Sequence, residues 1–290
     1  MTSEAGASAC RVCGAEKAAF RLEARGYQFF SCQGCGYVQI DPPPSALALH
    51  ALYGEDYFDK GKYVVDRAER REQERRVSLL RKAGVKTPAR LLDYGCATGA
   101  FLSHAKQEFD MWGAEVSAAA LSKARDRLPD LSGRLLGLDE LDALETGFFD
   151  GVLLWDVVEH LLHPVEDLRK AARLVRPGGV MAFSTPDIGA VTARLMGRRW
   201  AFMTPPEHVG FFDRRALFAL MKDLGFEPVT SFSRGKWVNL GFLLYKISRI
   251  LPELVSQETV GRVRRSAFGR LCLYVPTGDI LYAVGVKQGA

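Results

Sequence analysis

Residues 155–160 read WDVVEH and place Asp156, Glu159 and His160 within five positions, directly after the apolar run FFDGVLLW. These side-chain types at this spacing leave three roles open. If a helical turn starts at Asp156, the three occupy positions i, i+3 and i+4 on one face. Asp156 could then cap the helix while Glu159 reaches back to the cap N–H, a capping-box variant that needs no chemistry. His160, an imidazole that ordinarily titrates near ~6.5, suits proton removal from a phenol or enol. Asp156, Glu159, His160 and the distant His208 together could instead hold a divalent metal such as Mg²⁺ or Zn²⁺. His208 enters because TPPEHVGFF lies in a long excursion that should form a substrate wall. The remaining histidines are plainer: His50 and His104 sit inside amphipathic helices, and His163 precedes Pro164 as a turn residue.

A second constellation is cysteine-based. CRVCG and CQGCG supply Cys10, Cys13, Cys32 and Cys35. Each knuckle turns sharply enough for two thiolates to reach one ion, and two knuckles complete a closed tetrahedral shell suited to structural Zn²⁺. The intervening FRLEARGYQFF alternates as a short hairpin. Two disulfides are the alternative, and they fit poorly with a chain that shows no secretory leader. A closed four-sulfur site has no open position, so its role is structural. Cys96, in a tight turn with no histidine near in sequence, reads as a small packing residue, and Cys272 as core.

The elements that position these groups follow from pattern. The chain has 290 residues, 48% hydrophobic and 25% charged, enough for one α/β domain plus an accessory piece. IDPPPS ends a small N-terminal unit, residues 1–44. A helical linker follows over 45–87, in which ALALHALYGEDYF looks helical and VVDRAERREQERRVSLLRKAG is a charged amphipathic helix ending at Gly84. Tyr53, Tyr57, Phe58 and Tyr63 in that linker pack it down or cover a ligand. From residue 88 to 290, short apolar strands alternate with helices (ARLLDYG, MWGAEVS, FFDGVLLW and GGVMAFSTP among the strands), the signature of a doubly wound, mostly parallel sheet. Asp213 and Gly225 bracket a further helix, and two late strands flank an insertion from 236 to 276 of apolar helix-like segments.

LLDYGCATGAFL joins an apolar strand to a helix through Gly95 and Gly99, and Glu115 ends the next strand about twenty residues on. Such a turn lets backbone approach a ligand, and an acid at that distance can accept from both ribose hydroxyls. The spacing lacks the G-x-G-x-x-G of a pyrophosphate site, which argues against an NAD or nucleotide-sugar protein. With D-x-G-x-x-x-G, E-x-S, WDVVEH, LVRPGG and STPD in succession, the chain over roughly 45–290 resembles the class I S-adenosylmethionine-dependent methyltransferases. It is most similar to a branch with an N-terminal zinc-ribbon-like C-x2-C pair, a Y-G-E-x-Y-F segment and a late P-x-E-H-x-x-F-F. The resemblance implies a Rossmann-like seven-stranded sheet with Asp93, Gly95, Cys96 and Gly99 lining the methionine and ribose of the cofactor. Glu115 would bind the ribose diol, Val116 would pack on adenine, and Leu138 and Asp139 would flank the adenine amine. Trp155 and Asp156 would lie beside the methionine moiety. Ala97 stands where many relatives have glycine. Ubiquinone-biosynthesis O-methyltransferases carry a similar acid-x-x-E-H stretch.

The expected function is methyl transfer to a small molecule, most simply to oxygen, with 186–211 and 236–276 as substrate-side insertions around a large, partly apolar acceptor. From Asp187 onward, 15 Lys/Arg face 8 Asp/Glu, a local surplus of +7 in a chain of net charge +5. That surplus keeps a zinc-ribbon RNA methyltransferase as an alternative, although the ribbon itself is near neutral and lacks basic–aromatic interleaving. A non-catalytic binding module on the same fold is the third reading. The insertion could also meet a membrane surface or a second subunit. No stretch is apolar enough to span a bilayer, and a soluble cytoplasmic protein is expected.

Overall fold

In the computed structural model, residues 8–45, 48–49, 67–250 and 253–289 are described. The helix expected over 46–58, with His50, Tyr53, Tyr57, Phe58 and Tyr63, lies outside the described residues apart from 48–49. At the N-terminus, β1 (Ala18–Ala24) and β2 (Tyr27–Cys32) form the expected hairpin, and β3 (Val38–Ile40) adds to it. The linker helix α1 (Arg67–Lys82) ends before Gly84, whose φ of 82° stops it. Its buried side differs from that of an ordinary amphipathic helix. Toward its C-terminus it buries Val77, Leu79 and Leu80, but around its middle it buries Glu72, Gln73 and Arg76.

The main sheet is built in chain order from β4 (Arg90–Tyr94), α2 (Ala100–Ala105), β5 (Asp110–Glu115), α3 (Ala118–Arg127), β6 (Leu135–Gly137), β7 (Phe149–Trp155), α4 (Pro164–Arg173) and β8 (Val175–Pro186). The strands are short runs of buried apolar residues because both faces are covered. After β8 the chain makes its excursion, through α5 (Val191–Met196) and β9 (Gly210–Phe211), to α6 (Arg214–Asp223). There Asp213 caps α6 through Ala216 N at 2.8 Å. The last elements are β10 (Phe226–Asn239), α7 (Leu240–Ile250), α8 (Gln257–Arg265) and β11 (Cys272–Lys287).

Strand order is β10-β11-β8-β7-β4-β5-β6, with β6 to β8 mutually parallel through β5, β4 and β7, and β11 antiparallel to β8. Helices α1 to α3 pack one face through Leu80, Phe101, Leu102 and Ala124, and α4 and α6 pack the other through Leu168, Ala171, Leu217 and Leu220. This is the Rossmann-like seven-stranded sheet expected. The order reverses between β4 and β7, so the carboxyl ends of these two strands open a crevice.

Two features differ from expectation. The insertion is not helical from 236 to 276: β10 and β11 continue their ladder outward, with Lys236 opposite Val275 and Asn239 opposite Cys272, and the described helical segments are 240–250, 257–265 and a 3-10 turn at 267–270. Cys272, expected in the core, is therefore only half-buried on that stem. The N-terminal unit also does not close on itself at 44. β9 joins its sheet, pairing Val38 with Phe211 and Gln39 with Gly210. Gly210 is required there, since a Cβ would meet the Tyr37 hydroxyl at 1.8 Å. Among the described residues, no helix is long and apolar enough to cross a membrane.

Candidate active site

The turn after β4 is shaped by left-handed backbone. Gly95 has φ 80°, and a Cβ on it would meet Val157 at 2.7 Å. Ala97 sits at φ 47°, which explains why glycine would be comfortable at that position. Glu115, at the end of β5, holds the turn: its Oε2 accepts from Ala97 N and its Oε1 from Ser117 N, both at 2.9 Å. Asp93 is 3% exposed, and burial pushes its carboxyl up to about 7. Gly99 stands at the N-cap of α2. Cys96 is buried, and burial raises its thiol well above the ordinary value, so it stays neutral and packs. Val116 is 64% exposed beside this turn. Leu138 and Asp139 follow β6, the first half-buried and the second exposed.

Trp155 is the last residue of β7, its ring edge-on to Phe101 at 5.5 Å and beneath the Arg76 guanidinium at 5.4 Å. Asp156 then turns left-handed, with φ 57°. Its N–H donates to the Ser184 carbonyl at 2.8 Å, and its Oδ2 accepts from Arg76 Nη2 at 2.7 Å. Asp156 therefore caps no helix. A short 3-10 turn covers Val158–His160 without a side-chain cap, and the α-helix starts only at Pro164. Proline pre-sets the helical φ at a first position, while Val157 and Val158 resist an earlier start. The i, i+3, i+4 face expected for Asp156, Glu159 and His160 does not form.

Another grouping does form. Glu159, His160 and His208 bring one ligand atom each within 4.8 Å of one another, and Asp156 is not among them. The excursion after β8 delivers His208, anchored where Val209 N donates to the Glu159 carbonyl at 3.0 Å. The two imidazoles meet edge-on at 4.8 Å. His160 Nδ1 lies 2.9 Å from the Glu207 carbonyl and His208 Nδ1 2.7 Å from the Phe202 carbonyl. Both rings are thereby fixed with the proton on Nδ1 and the lone pair on Nε2, the tautomer of a base or a metal ligand. Burial, with His160 alongside, holds His208 down to about 3, so it is neutral. Burial and then Asp156 push Glu159 up to about 8, and its Oε2 accepts from Thr185 Oγ1 at 2.9 Å. Burial raises Asp156 too, but Lys236 and Arg76 outweigh it and the net displacement is downward.

Arg76 and Lys236 complete the cluster, and neither carries a sequence signal strong enough to mark it. Arg76 is one of six arginines in RAERREQERRVSLLRK, distinguished only by its burial. Lys236 follows Gly235, at the register shift that redirects β10. Two buried donors here, Trp155 Nε1 and Arg76 Nε, find no hydrogen-bond partner among the described residues.

The four cysteines converge as expected. Cys10 Sγ lies 3.6 Å from Cys35 Sγ, Cys13 Sγ lies 3.5 Å from Cys32 Sγ, and the four sulfurs fall within 4.8 Å. These are the edges of a tetrahedron, about 3.8 Å for metal–sulfur bonds of ~2.3 Å, and they are far beyond a disulfide's ~2.05 Å. The hydrogen bond between Cys10 and Cys35 lowers the Cys10 thiol to about 5 and raises that of Cys35, so the pair shares one proton.

A family model described as a methyltransferase domain matches residues 65–231, more than half of the chain. The chain belongs to this methyltransferase-domain family. A ubiquinone biosynthesis O-methyltransferase from Xanthomonas oryzae pv. oryzae is 34% identical over 106 residues, covering 33% of this chain and 43% of the relative. The chain thus matches less than half the length of such relatives. Among solved structures, a SAM-dependent methyltransferase from Thermotoga maritima superposes with TM-score 0.53 at 18% identity, covering 82% of this chain and 99% of that one. A phosphoethanolamine N-methyltransferase from Haemonchus contortus superposes with TM-score 0.53 at 16% identity, covering 87% of this chain and 63% of its own. At these identities the methyltransferase neighbours establish the fold.

Proposed function

We propose that this chain transfers a methyl group from S-adenosylmethionine to an oxygen of a small molecule. The observation that carries the proposal is the Glu159–His160–His208 cluster, set past the end of β7 beside the Gly95 turn. The O-acceptor reading also draws on the relative named for O-methyl transfer in ubiquinone biosynthesis. The methyl donor fits the residues present. Glu115 can take the ribose diol with its remaining lone pairs, Val116 offers an exposed apolar face to adenine, and Trp155 Nε1 and Arg76 Nε await an acceptor such as a carboxylate. S-adenosylmethionine supplies an electrophilic methyl, so the protein's work is alignment, exclusion of water and one proton removal. His160 takes that proton at Nε2, while the Glu207 carbonyl holds its Nδ1–H. Glu159, His160 and His208 also fit a divalent ion, which when bound would favour the ionised acceptor oxygen. Titration calorimetry tests the proposal: S-adenosylmethionine and S-adenosylhomocysteine should both give saturable heat, and no heat with either overturns it.

The four cysteines are read as a structural zinc site that holds the N-terminal sheet together. Elemental analysis should find about one zinc per chain, lost when Cys10→Ser and Cys13→Ser are combined. Zinc retained by that double variant would refute the assignment.

A further inference from the structure

Lys236 enters the site from the stem of the β10–β11 insertion. Its Nζ lies 3.6 Å from Asp156 Oδ2 and 5.6 Å from the centroid of Phe202, and its side chain is one-third exposed. The Asp156 carboxylate is already engaged: Arg76 donates to Oδ2 at 2.7 Å and Ser184 Oγ to Oδ1 at 3.2 Å. Two cations therefore converge on one acid, and the longer contact, beyond hydrogen-bond distance, belongs to the more exposed of the two. The Phe202 ring face attracts the Lys236 ammonium, and with Asp156 already engaged by Arg76 and Ser184 that ammonium keeps donors to offer a further anion.

The position of Lys236 indicates which anion. Asp93 and Glu115 lie at the carboxyl ends of β4 and β5. Lys236 instead stands with Phe202 on the excursion side, where His208 donates to the Phe202 carbonyl and faces His160. We propose that Lys236 pairs with the ionised oxygen of an aromatic acceptor whose ring lies along Phe202. This rests on the methyl-transfer reading above. A lysine there would hold the acceptor as its phenolate, the form that attacks carbon, after its proton has gone to His160 or to water. The charged and titratable groups of this cluster are Glu72 and Arg76 from α1, Asp93 from β4, Asp156, Glu159 and His160 from β7 onward, Glu207 and His208 from the excursion, and Tyr282 from β11.

4-Nitrophenol serves as the probe, because its ionised form absorbs visible light. With S-adenosylhomocysteine bound, the wild-type protein should bind it saturably and lower its apparent pKa by about one unit, a tenfold change in the ionised-to-neutral ratio. Lys236→Arg should keep the shift and Lys236→Met should abolish it, while S-adenosylhomocysteine affinity stays within about twofold in both. Absence of saturable binding, an unshifted pKa in the wild type, or an equal shift in Lys236→Met overturns the inference. A tenfold loss of S-adenosylhomocysteine affinity in Lys236→Met would assign the lysine to the donor's carboxylate instead and overturn it too. If S-adenosylhomocysteine gives no heat with the wild type, the methyl-transfer reading itself fails. Heat without a probe shift removes this inference alone.

Discussion

Replacing His160 with alanine should lower turnover about 10²–10⁴-fold while leaving S-adenosylhomocysteine binding nearly unchanged. The expectation follows from the ring's fixed tautomer: the Glu207 carbonyl takes Nδ1–H, so Nε2 presents its lone pair. His208→Ala separates the two roles this geometry permits. As a base, His160 acts alone, and His208, held neutral by burial, contributes mainly to the wall, so its loss costs about tenfold or less. As metal ligands, the two imidazoles act as one unit, and either substitution should match the effect of a chelator. Steady-state kinetics of both variants, with and without chelator, distinguish these. Unchanged turnover in both would leave positioning as the only role of the cluster.

Asp93→Asn should have opposite effects on binding and stability. The folded carboxyl is held at about 7, above its ordinary value, by burial only partly countered by Arg76. A raised acid contributes stability that is fully present below its ordinary value and lost as pH climbs through 7. Over that window the unfolded chain has released a proton that the folded chain retains, a difference of order a few kcal/mol by pH 8. Asparagine has no proton to lose. The ligand-free variant should therefore melt above the wild type at pH 8, with the gap closing toward pH 4. Methyl-donor affinity should meanwhile fall roughly ten- to a hundredfold, because a charged hydrogen-bond acceptor is gone. Melting curves across pH and calorimetry at pH 8 read both. A variant no more stable than wild type at pH 8 would mean that Arg76 already offsets the burial of Asp93.

What the sequence disclosed was local. The Gly95 turn, Glu115 and the four cysteines are set by spacings of a few to about twenty residues, and strand–helix alternation is a local pattern that gave the sheet. The failures were of two kinds. D-x-x-E imitates a cap, but Asp156 adopts a left-handed conformation and its carboxylate faces Arg76, eighty positions earlier, so a distant ion pair overrode a local motif. Arg76 and Lys236 were invisible because nothing nearby marks a surface-type residue as buried or site-facing. Only the packing of α1 and the bulge in β10 turn them inward. His208 was found by its neighbours in the excursion, and its grouping with Glu159 and His160 was expected, but that Asp156 stands outside the group needed the fold.

The pairing of Val38 with Phe211 joins positions 173 residues apart. During synthesis the cysteine-bearing segment emerges well before β9, so its sheet lacks an edge until the chain has passed residue 211. Closing so long a loop carries an entropic cost, and contacts of this separation form late. The ribbon is therefore no portable module. Excised on its own, it would expose the edge of β3, and grafted onto another enzyme it would arrive without the strand that ends two residues beyond Val209. Its sheet is complete only when the excursion bearing His208 has brought β9 alongside β3.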